Sequence, residues 1–502
     1  MSSPSQGVTG PPVSTVSRRL PTYLAVVVLA GAVYAALAVI PWHPDGVVRR
    51  ATGIVGATLI FWITEVAPLG VTGLLIPVGA TFAGVLKWSD ALTAWGDPIL
   101  FLFLGAFLLA RALEKHGVFD VLVQARWTQR IRGGNGSLLA IVVMLVAGAI
   151  STMQSNTAVA AMMLPVVLAL ARTVRKPALV LLGLSYGATF GGMATPIGTP
   201  PNFIGYHAMK ELDPSVNFLS WMRVGLPVWA GTTVLAWGLL SLVRFVPRLG
   251  RVRMTEAGVD LPDDPAPLPT SLPSSALQGR ATLVRRTAQR WAIGAFAVTV
   301  VLWLGCGLIA SITEPTNPLQ LWIQRYLPES LPPILTAGLL FFVRVGPQRE
   351  RVLEQRDFQS LDWDTLFLIA GGLCLGKMLQ TSGAAKVLAA TVGQTHLSPL
   401  AVMFGIGAVT VLLSELTSNT ATAALMVPIA ASLAPAVGMS PVQTTWLVAL
   451  CASLGFALPV STPPNAIVYG TRLVPLRMMA SLGIIVDILG LTWVVFCVRW
   501  FA

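Results

Sequence analysis

The chain has 502 residues, 55% of them apolar or aromatic and only 11% charged, and a net charge of +12. A soluble globular protein carries roughly 25% charged residues to keep its surface wetted, so this chain cannot cover its own outside in water. Disordered proteins, nucleic-acid binders and cytosolic enzymes are excluded; the basic excess fits a multi-pass plasma-membrane protein whose positive loops gather on one face.

In chain order, residues 1–20 are a Ser/Pro/Gly-rich tail, expected to be disordered, that ends at Arg18 and Arg19. The apolar run over 21–41 is long enough for a ~30 Å hydrocarbon core and lacks a small-residue cleavage signal, so it predicts a retained N-terminal transmembrane helix. Further runs predict spans near 51–67, 71–87, 98–114, 178–206, 223–246, 291–312, 331–346, 363–380, 443–470 and 478–500. Segments 137–172 and 398–436 are apolar but interrupted at their centres by polar clusters. Their halves are short for full crossings, so each predicts a re-entrant hairpin. The stretch 247–290 holds Pro247, Pro262, Pro265, Pro267, Pro269 and Pro273 without apolar periodicity, and reads as a cytoplasmic linker. It separates 49–246 from 291–502.

Charge orients this arrangement of about 11 spans. With the N-terminus inside, cytoplasmic segments hold 24 of the 33 Lys and Arg residues, which places the C-terminus outside. Cys306, Cys374, Cys451 and Cys497 all lie in apolar runs and read as small buried hydrophobes, with neither disulfide nor zinc implied.

The two interrupted segments are copies of one pattern. Ser151, Ser155, Asn156, Thr157 and Pro165 recur as Ser414, Ser418, Asn419, Thr420 and Pro428, at an offset of 263 residues. Gly198-Thr199-Pro200-Pro201-Asn202 recurs as Ser461-Thr462-Pro463-Pro464-Asn465 at the same offset, and Gly105, Arg111, Leu113 and Gly117 recur as Gly371, Lys377, Leu379 and Gly383 at 266. An odd number of spans lies between equivalent points, so the repeats are inverted, as in many secondary transporters. The expected fold is therefore all-α: two inverted five-helix repeats plus an N-terminal helix, each repeat with one re-entrant hairpin and one broken helix.

Ser, Asn and Thr side chains together with carbonyls freed by proline are hard neutral oxygens suited to an alkali cation. Helix N-termini starting at the two tips favour an anion. No Arg or Lys lies inside the four motifs, so bound cations would supply the charge that compensates an anionic substrate. That pattern points to ion-coupled anion transport.

The paired Ser-Asn-Thr tips and the Thr-Pro-Pro-Asn breaks resemble those of the divalent anion/sodium symporter family, which includes di- and tricarboxylate carriers. Trp62-Ile63-Thr64-Glu65-Val66-Ala67-Pro68-Leu69 is similar to a further signature of that family. The resemblance runs from about 50 to 500. It implies a homodimer in which a transport domain moves like an elevator against a fixed scaffold. It also implies a first sodium site at Ser151, Ser155, Asn156 and the Gly198 backbone, and a second at Ser414, Ser418, Asn419 and the Ser461 backbone. Substrate carboxylates would meet Asn156, Thr157 and Thr199 on one side, and Asn419, Thr420, Thr462 and Pro463 on the other. The implied cargo is a C4-dicarboxylate or citrate-like anion taken up with sodium, without a resident cofactor. A sodium-independent anion exchanger, or a carrier of sulfate or another small oxyanion, is the alternative.

Gly183-Leu184-Ser185-Tyr186-Gly187 matches the nucleophile elbow of serine hydrolases, but it falls within an apolar span, and His43, His116, His207 and His396 all fall in predicted loops. No nucleophile or metal set points to an enzyme. A channel differs from a carrier in lacking saturable, gradient-driven uptake. Glu65, Glu415 and Asp487 are acids within apolar runs, where a carboxylate is a functional candidate.

Overall fold

The computed structural model describes residues 13–118, 136–171, 174, 176–243, 275–314, 316–346, 349–393 and 397–502. Their regular structure is helical apart from one short antiparallel ladder of β1 (Arg344–Val345) with β2 (Glu350–Arg351). Eight of the described helices are long and apolar enough to cross a membrane, and six shorter ones are also apolar.

The first half opens with α1 (Val13–Val39), α2 (Gly46–Thr64), α3 (Leu69–Phe82), α4 (Trp88–Leu92) and α5 (Pro98–Lys115). It continues through α6 (Gly136–Ser151), α7 (Asn156–Ala171), α8 (Pro177–Gly192), α9 (Pro200–Leu212) and α10 (Phe218–Val243). The second half comprises α11 (Ser275–Ile312), α12 (Pro318–Tyr326), α13 (Leu331–Leu340), α14 (Gln355–Gln359), α15 (Trp363–Ser382) and α16 (Ala384–Gly393). After these come α17 (Pro399–Leu416), α18 (Asn419–Leu433), α19 (Pro441–Cys451), α20 (Pro463–Gly470) and α21 (Leu476–Phe501).

Two boundaries fall outside the apolar runs. Helix α1 begins at Val13, within the segment expected as tail, and residues 1–12 lie outside the described residues. Helix α11 begins at Ser275, so the end of the expected linker is helical, while 244–274 lie outside the described residues. Hydropathy marks where lipid begins, whereas helix hydrogen bonding continues through any residues that tolerate it; Arg280, Arg285, Arg286 and Arg290 are good helix formers.

The halves exchange helices. Helix α3 of the first half packs on α15 of the second, and α13 of the second packs on α5 of the first. Glycine makes both crossings possible: a Cβ on Gly73 would lie 2.6 Å from the Phe367 carbonyl oxygen, and one on Gly105 would lie 2.6 Å from the Ile334 nitrogen. Small residues allow such backbone approach where lipid supplies no hydrophobic drive between helices. The Gly70 N–H donates to Asp364 Oδ1 at 2.8 Å and sets the first crossing.

Two packed groups result. Helices α6–α10 associate with α17–α21, and α1–α5 with α11–α16; the groups meet mainly where α15 and α16 lie on α18, and α10 on α11. At the centre of the first group every residue of α8 from Ala178 to Gly192 is buried. Large apolar side chains such as Phe82, Phe342 and Trp500 remain exposed on the outside, as a lipid-facing surface requires.

Candidate functional site

The first tip is the turn between α6 and α7, and the second is the two-residue turn between α17 and α18. The spans expected over 178–206 and 443–470 are each two helices, interrupted between α8 and α9 and between α19 and α20. Proline at the first positions of α9 and α20 explains where the second pieces start, because those positions need no N–H donor.

The 263-residue register extends to individual hydrogen bonds. Ser151 Oγ donates to Asn156 Oδ1 at 2.6 Å, and Ser414 Oγ donates to Asn419 Oδ1 at 2.8 Å. Asn202 Nδ2 donates to the carbonyls of Gly192 and Thr195, both at 2.8 Å. Asn465 Nδ2 donates to the corresponding carbonyls of Gly455 and Leu458 at 3.2 and 3.0 Å. Each asparagine is a strap across a stretch of backbone that no helix satisfies. Sequence reasoning saw both as parts of a motif and assigned them no role; their identical place in the two breaks was the available signal.

The halves pack crosswise. Helix α9 lies on α18 and α20 on α7, so each break meets the hairpin of the other half. All four motifs thereby converge on one cavity of about 770 Å³. Ser155, Asn156, Thr157, Gly198, Thr199, Ser418, Asn419, Thr420, Ser461, Thr462 and Pro463 line it. Ser151 and Ser414 do not; both are fully buried behind the tips and orient the asparagine amides. The N-termini of α7, α9, α18 and α20 all reach this wall, each carrying roughly half a positive charge.

The two sides differ. Ser155 and Thr157 are exposed to the cavity, whereas Thr420 is buried. Helix α18 is covered by α15, with Gly372 against Ala424 and Gly376 against Pro428. The first tip instead faces the open cavity, whose rim includes Arg111, Glu114, Ser360 and Asp362. Arg111 is the cation that sequence reasoning did not place here. It is held by Asp357 at 3.3 Å and by Glu114 at 3.3 Å. Burial alone would raise the Asp357 carboxyl, but Lys115 at 2.7 Å, the Glu354 N–H and Arg111 outweigh it and hold it below the usual range.

The three acids occupy different places. Glu65 caps α2 in a left-handed conformation, φ 45°, and lines the cavity. Glu415 is buried and accepts from the Ala457 N–H at 2.7 Å, the Leu458 N–H at 3.2 Å and the Ser461 hydroxyl. Its counterpart at the first tip is Thr152, whose carbonyl accepts from Thr195 Oγ1 at 2.6 Å. In the first half a side chain of the break bonds to the tip backbone, whereas in the second a carboxylate of the tip gathers two backbone N–H groups and a hydroxyl of the break. Asp487 accepts from the Phe456 N–H at 3.3 Å, next to those bonds.

Ser185 is no nucleophile: its hydroxyl donates to Asn465 Oδ1 at 2.6 Å in the buried core. The four cysteines are free, three of them buried. His207 lies in α9, where a loop was expected, because the helix restarts at Pro200 and runs past the end of the apolar stretch. His396 lies outside the described residues.

The family model described as citrate transporter matches residues 59–452, most of the chain. The chain belongs to the citrate transporter family. An uncharacterized transporter of Haemophilus influenzae is 30% identical to it over 464 residues, covering 90% of this chain and 91% of that one. The sodium-dependent dicarboxylate transporter SdcS of Staphylococcus saprophyticus is 28% identical over 487 residues, covering 92% and 88%. Its namesake in Staphylococcus aureus is 28% identical over 471 residues. These relatives bear out the resemblance to divalent anion/sodium symporters. The fold is similar to that of the Alcanivorax borkumensis YdaH transporter, with TM-score 0.50 and 16% identity over 97% of this chain and 98% of that one. This transporter is a multi-pass membrane protein and a secondary carrier, not an enzyme.

Proposed function

We propose that this transporter is a sodium-coupled symporter of a divalent organic anion, a C4-dicarboxylate or a citrate-like molecule. Two inverted repeats form its substrate path, and α6–α10 with α17–α21 move as an elevator against the remaining helices, in a homodimer of the plasma membrane. Ser151, Ser155, Asn156 and the Gly198 carbonyl hold one sodium; Ser414, Ser418, Asn419 and the Ser461 carbonyl hold the other. Carboxylates of the substrate lie between Asn156, Thr157 and Thr199 on one side and Asn419, Thr420, Thr462 and Pro463 on the other.

The observation that carries this reading is the convergence of four motifs, in twofold register, on one cavity. The relatives named as sodium-dependent dicarboxylate transporters add to it. Charge supplies the coupling. A dianion removed from water is costly to hold without compensation, and a helix N-terminus contributes only about 0.3–2 kcal/mol. Bound sodium makes up the remainder, so sodium and substrate affinities are reciprocally linked. Arg111, Glu114, Ser360 and Asp362 rim the cavity on the face that the positive-inside pattern assigns to the cytoplasm, so this conformation is the inward-open one.

The test is purified protein in liposomes with labelled succinate, citrate and sulfate, with and without an inward sodium gradient. Uptake of a carboxylate that requires sodium supports the proposal. Uptake that needs only a counter-anion inside, or that favours sulfate, transfers the protein to the exchanger or oxyanion reading.

A further inference from the structure

We propose a transition-metal site at Asp97, His207 and Glu211 that ties α9 to α5. One ligand atom from each of the three residues lies within 4.8 Å of the others. His207 Nε2 stands 3.2 Å from Asp97 Oδ2 and 3.5 Å from Glu211 Oε1. Metal–ligand bonds of about 2.0–2.1 Å in a tetrahedral zinc site put neighbouring ligands about 3.3 Å apart. Both contacts match that edge.

The local chemistry suits an ion. His207 Nε2 is enclosed and faces both carboxylates, with neither contact well aligned as a hydrogen bond. Asp97 Oδ1 caps α5 by accepting from the Ile99 N–H at 2.9 Å, which leaves Oδ2 for the ion. His207 and Glu211 are four residues apart and share one face of α9. The neighbouring cation, Lys210, is engaged by Glu329 at 2.9 Å, and Tyr206 donates to the same carboxylate at 2.6 Å. Among the described residues neither Asp97 nor Glu211 has a lysine or arginine partner, so two carboxylates converge on one imidazole. One nitrogen and two oxygens, with water in the fourth position, suit zinc.

Helix α5 packs with α13 and α15, and α9 with α18 and α19. An ion held here therefore joins the two groups of helices. The effect on transport rests on the elevator reading; the binding itself does not.

The experiment uses the full-length protein in detergent, stripped with chelator and free of any affinity tag, titrated with zinc chloride by calorimetry in the absence of substrate. One zinc per chain is expected, with affinity reduced at least about tenfold in His207→Ala, and likewise in Glu211→Gln, whose exposed position spares the fold. Failure of the wild type to bind zinc, or wild-type affinity in both variants, overturns the site. In proteoliposomes zinc should slow uptake by the wild type and leave Glu211→Gln unaffected. Zinc that binds yet leaves wild-type uptake unchanged overturns the effect of the ion on transport, whereas the site itself is judged by the calorimetry, which is run without substrate and so stands apart from the substrate reading.

Discussion

Asn202 and Asn465 are equivalent in sequence, yet the structure predicts unequal consequences for removing them. Each side chain straps two backbone carbonyls across a break. Asn465 also accepts from the Ser185 hydroxyl at 2.6 Å, whereas Asn202 Oδ1 is buried without a partner. The counterpart of Ser185 in the second half is Val448, which has no hydroxyl to offer. A buried polar group that loses its partner costs about 1–3 kcal/mol. Asn465→Ala strands the Gly455 carbonyl and the Ser185 hydroxyl, while the Leu458 carbonyl keeps the Ser461 N–H at 3.3 Å, so the cost is about 2–6 kcal/mol. Asn202→Ala strands only the Gly192 carbonyl, because the Thr195 carbonyl keeps the Gly198 N–H at 3.4 Å, and it eliminates an oxygen that was already unpaired, so on the same basis its net cost is close to zero. The melting midpoint in detergent and the sodium concentration for half-maximal uptake should therefore both shift further in Asn465→Ala. Val448→Thr should stabilise the protein by about 0.5–1.5 kcal/mol, the net worth of one hydrogen bond, and should do so only when Asn202 is present. Equal shifts in the two alanine variants, or a larger one in Asn202→Ala, would refute the reasoning.

Three further outcomes follow from the same geometry. Thr157→Ala and Thr420→Ala remove hydroxyls from the cavity wall and should each weaken substrate binding roughly ten- to a hundredfold, by the ~1.5–3 kcal/mol of a hydrogen bond to charge; a larger loss of sodium affinity than of substrate affinity would contradict their placement. The Asp357 carboxyl is held below its ordinary value of 3.8 by Lys115, the Glu354 N–H and Arg111 despite its burial, so its stabilising contribution is complete above about pH 4 and drains away as pH falls through the lower, folded value. Asp357→Asn should lower the melting midpoint at neutral pH and flatten that acid-side decline; an unchanged acid slope counts against the network. For topology, a cysteine replacing exposed Arg351, in a background without Cys306, should react with an impermeant reagent only from the cytoplasmic side, and labelling from outside alone would invert the assignment.

Much of the cavity's polar lining is legible in the sequence. Apolar periodicity and length identified a membrane protein, because lipid leaves few ways to satisfy a backbone. Repetition of Ser-Asn-Thr and Thr-Pro-Pro-Asn at one offset identified which residues act together, since rare polar motifs within apolar helices are retained only where they line something. Glu415 was visible as an intramembrane acid, but its partners, the N–H groups of Ala457 and Leu458, lie more than forty residues away, and periodicity reports only local neighbours.

The sequence by itself determined the class of protein, the twofold register and the polar motifs that converge on the cavity, because hydropathy and repetition are properties of the chain read linearly. The tertiary structure alone decided that Ser151 and Ser414 stand behind the tips while their neighbours face the cavity, that α3 and α13 change sides, and that the first tip is open while the second is covered. Those outcomes depend on which backbones approach closely enough to touch, as at Gly73, Gly105 and Gly372. Such contacts join residues far apart in the chain, and no pattern within either half specifies them.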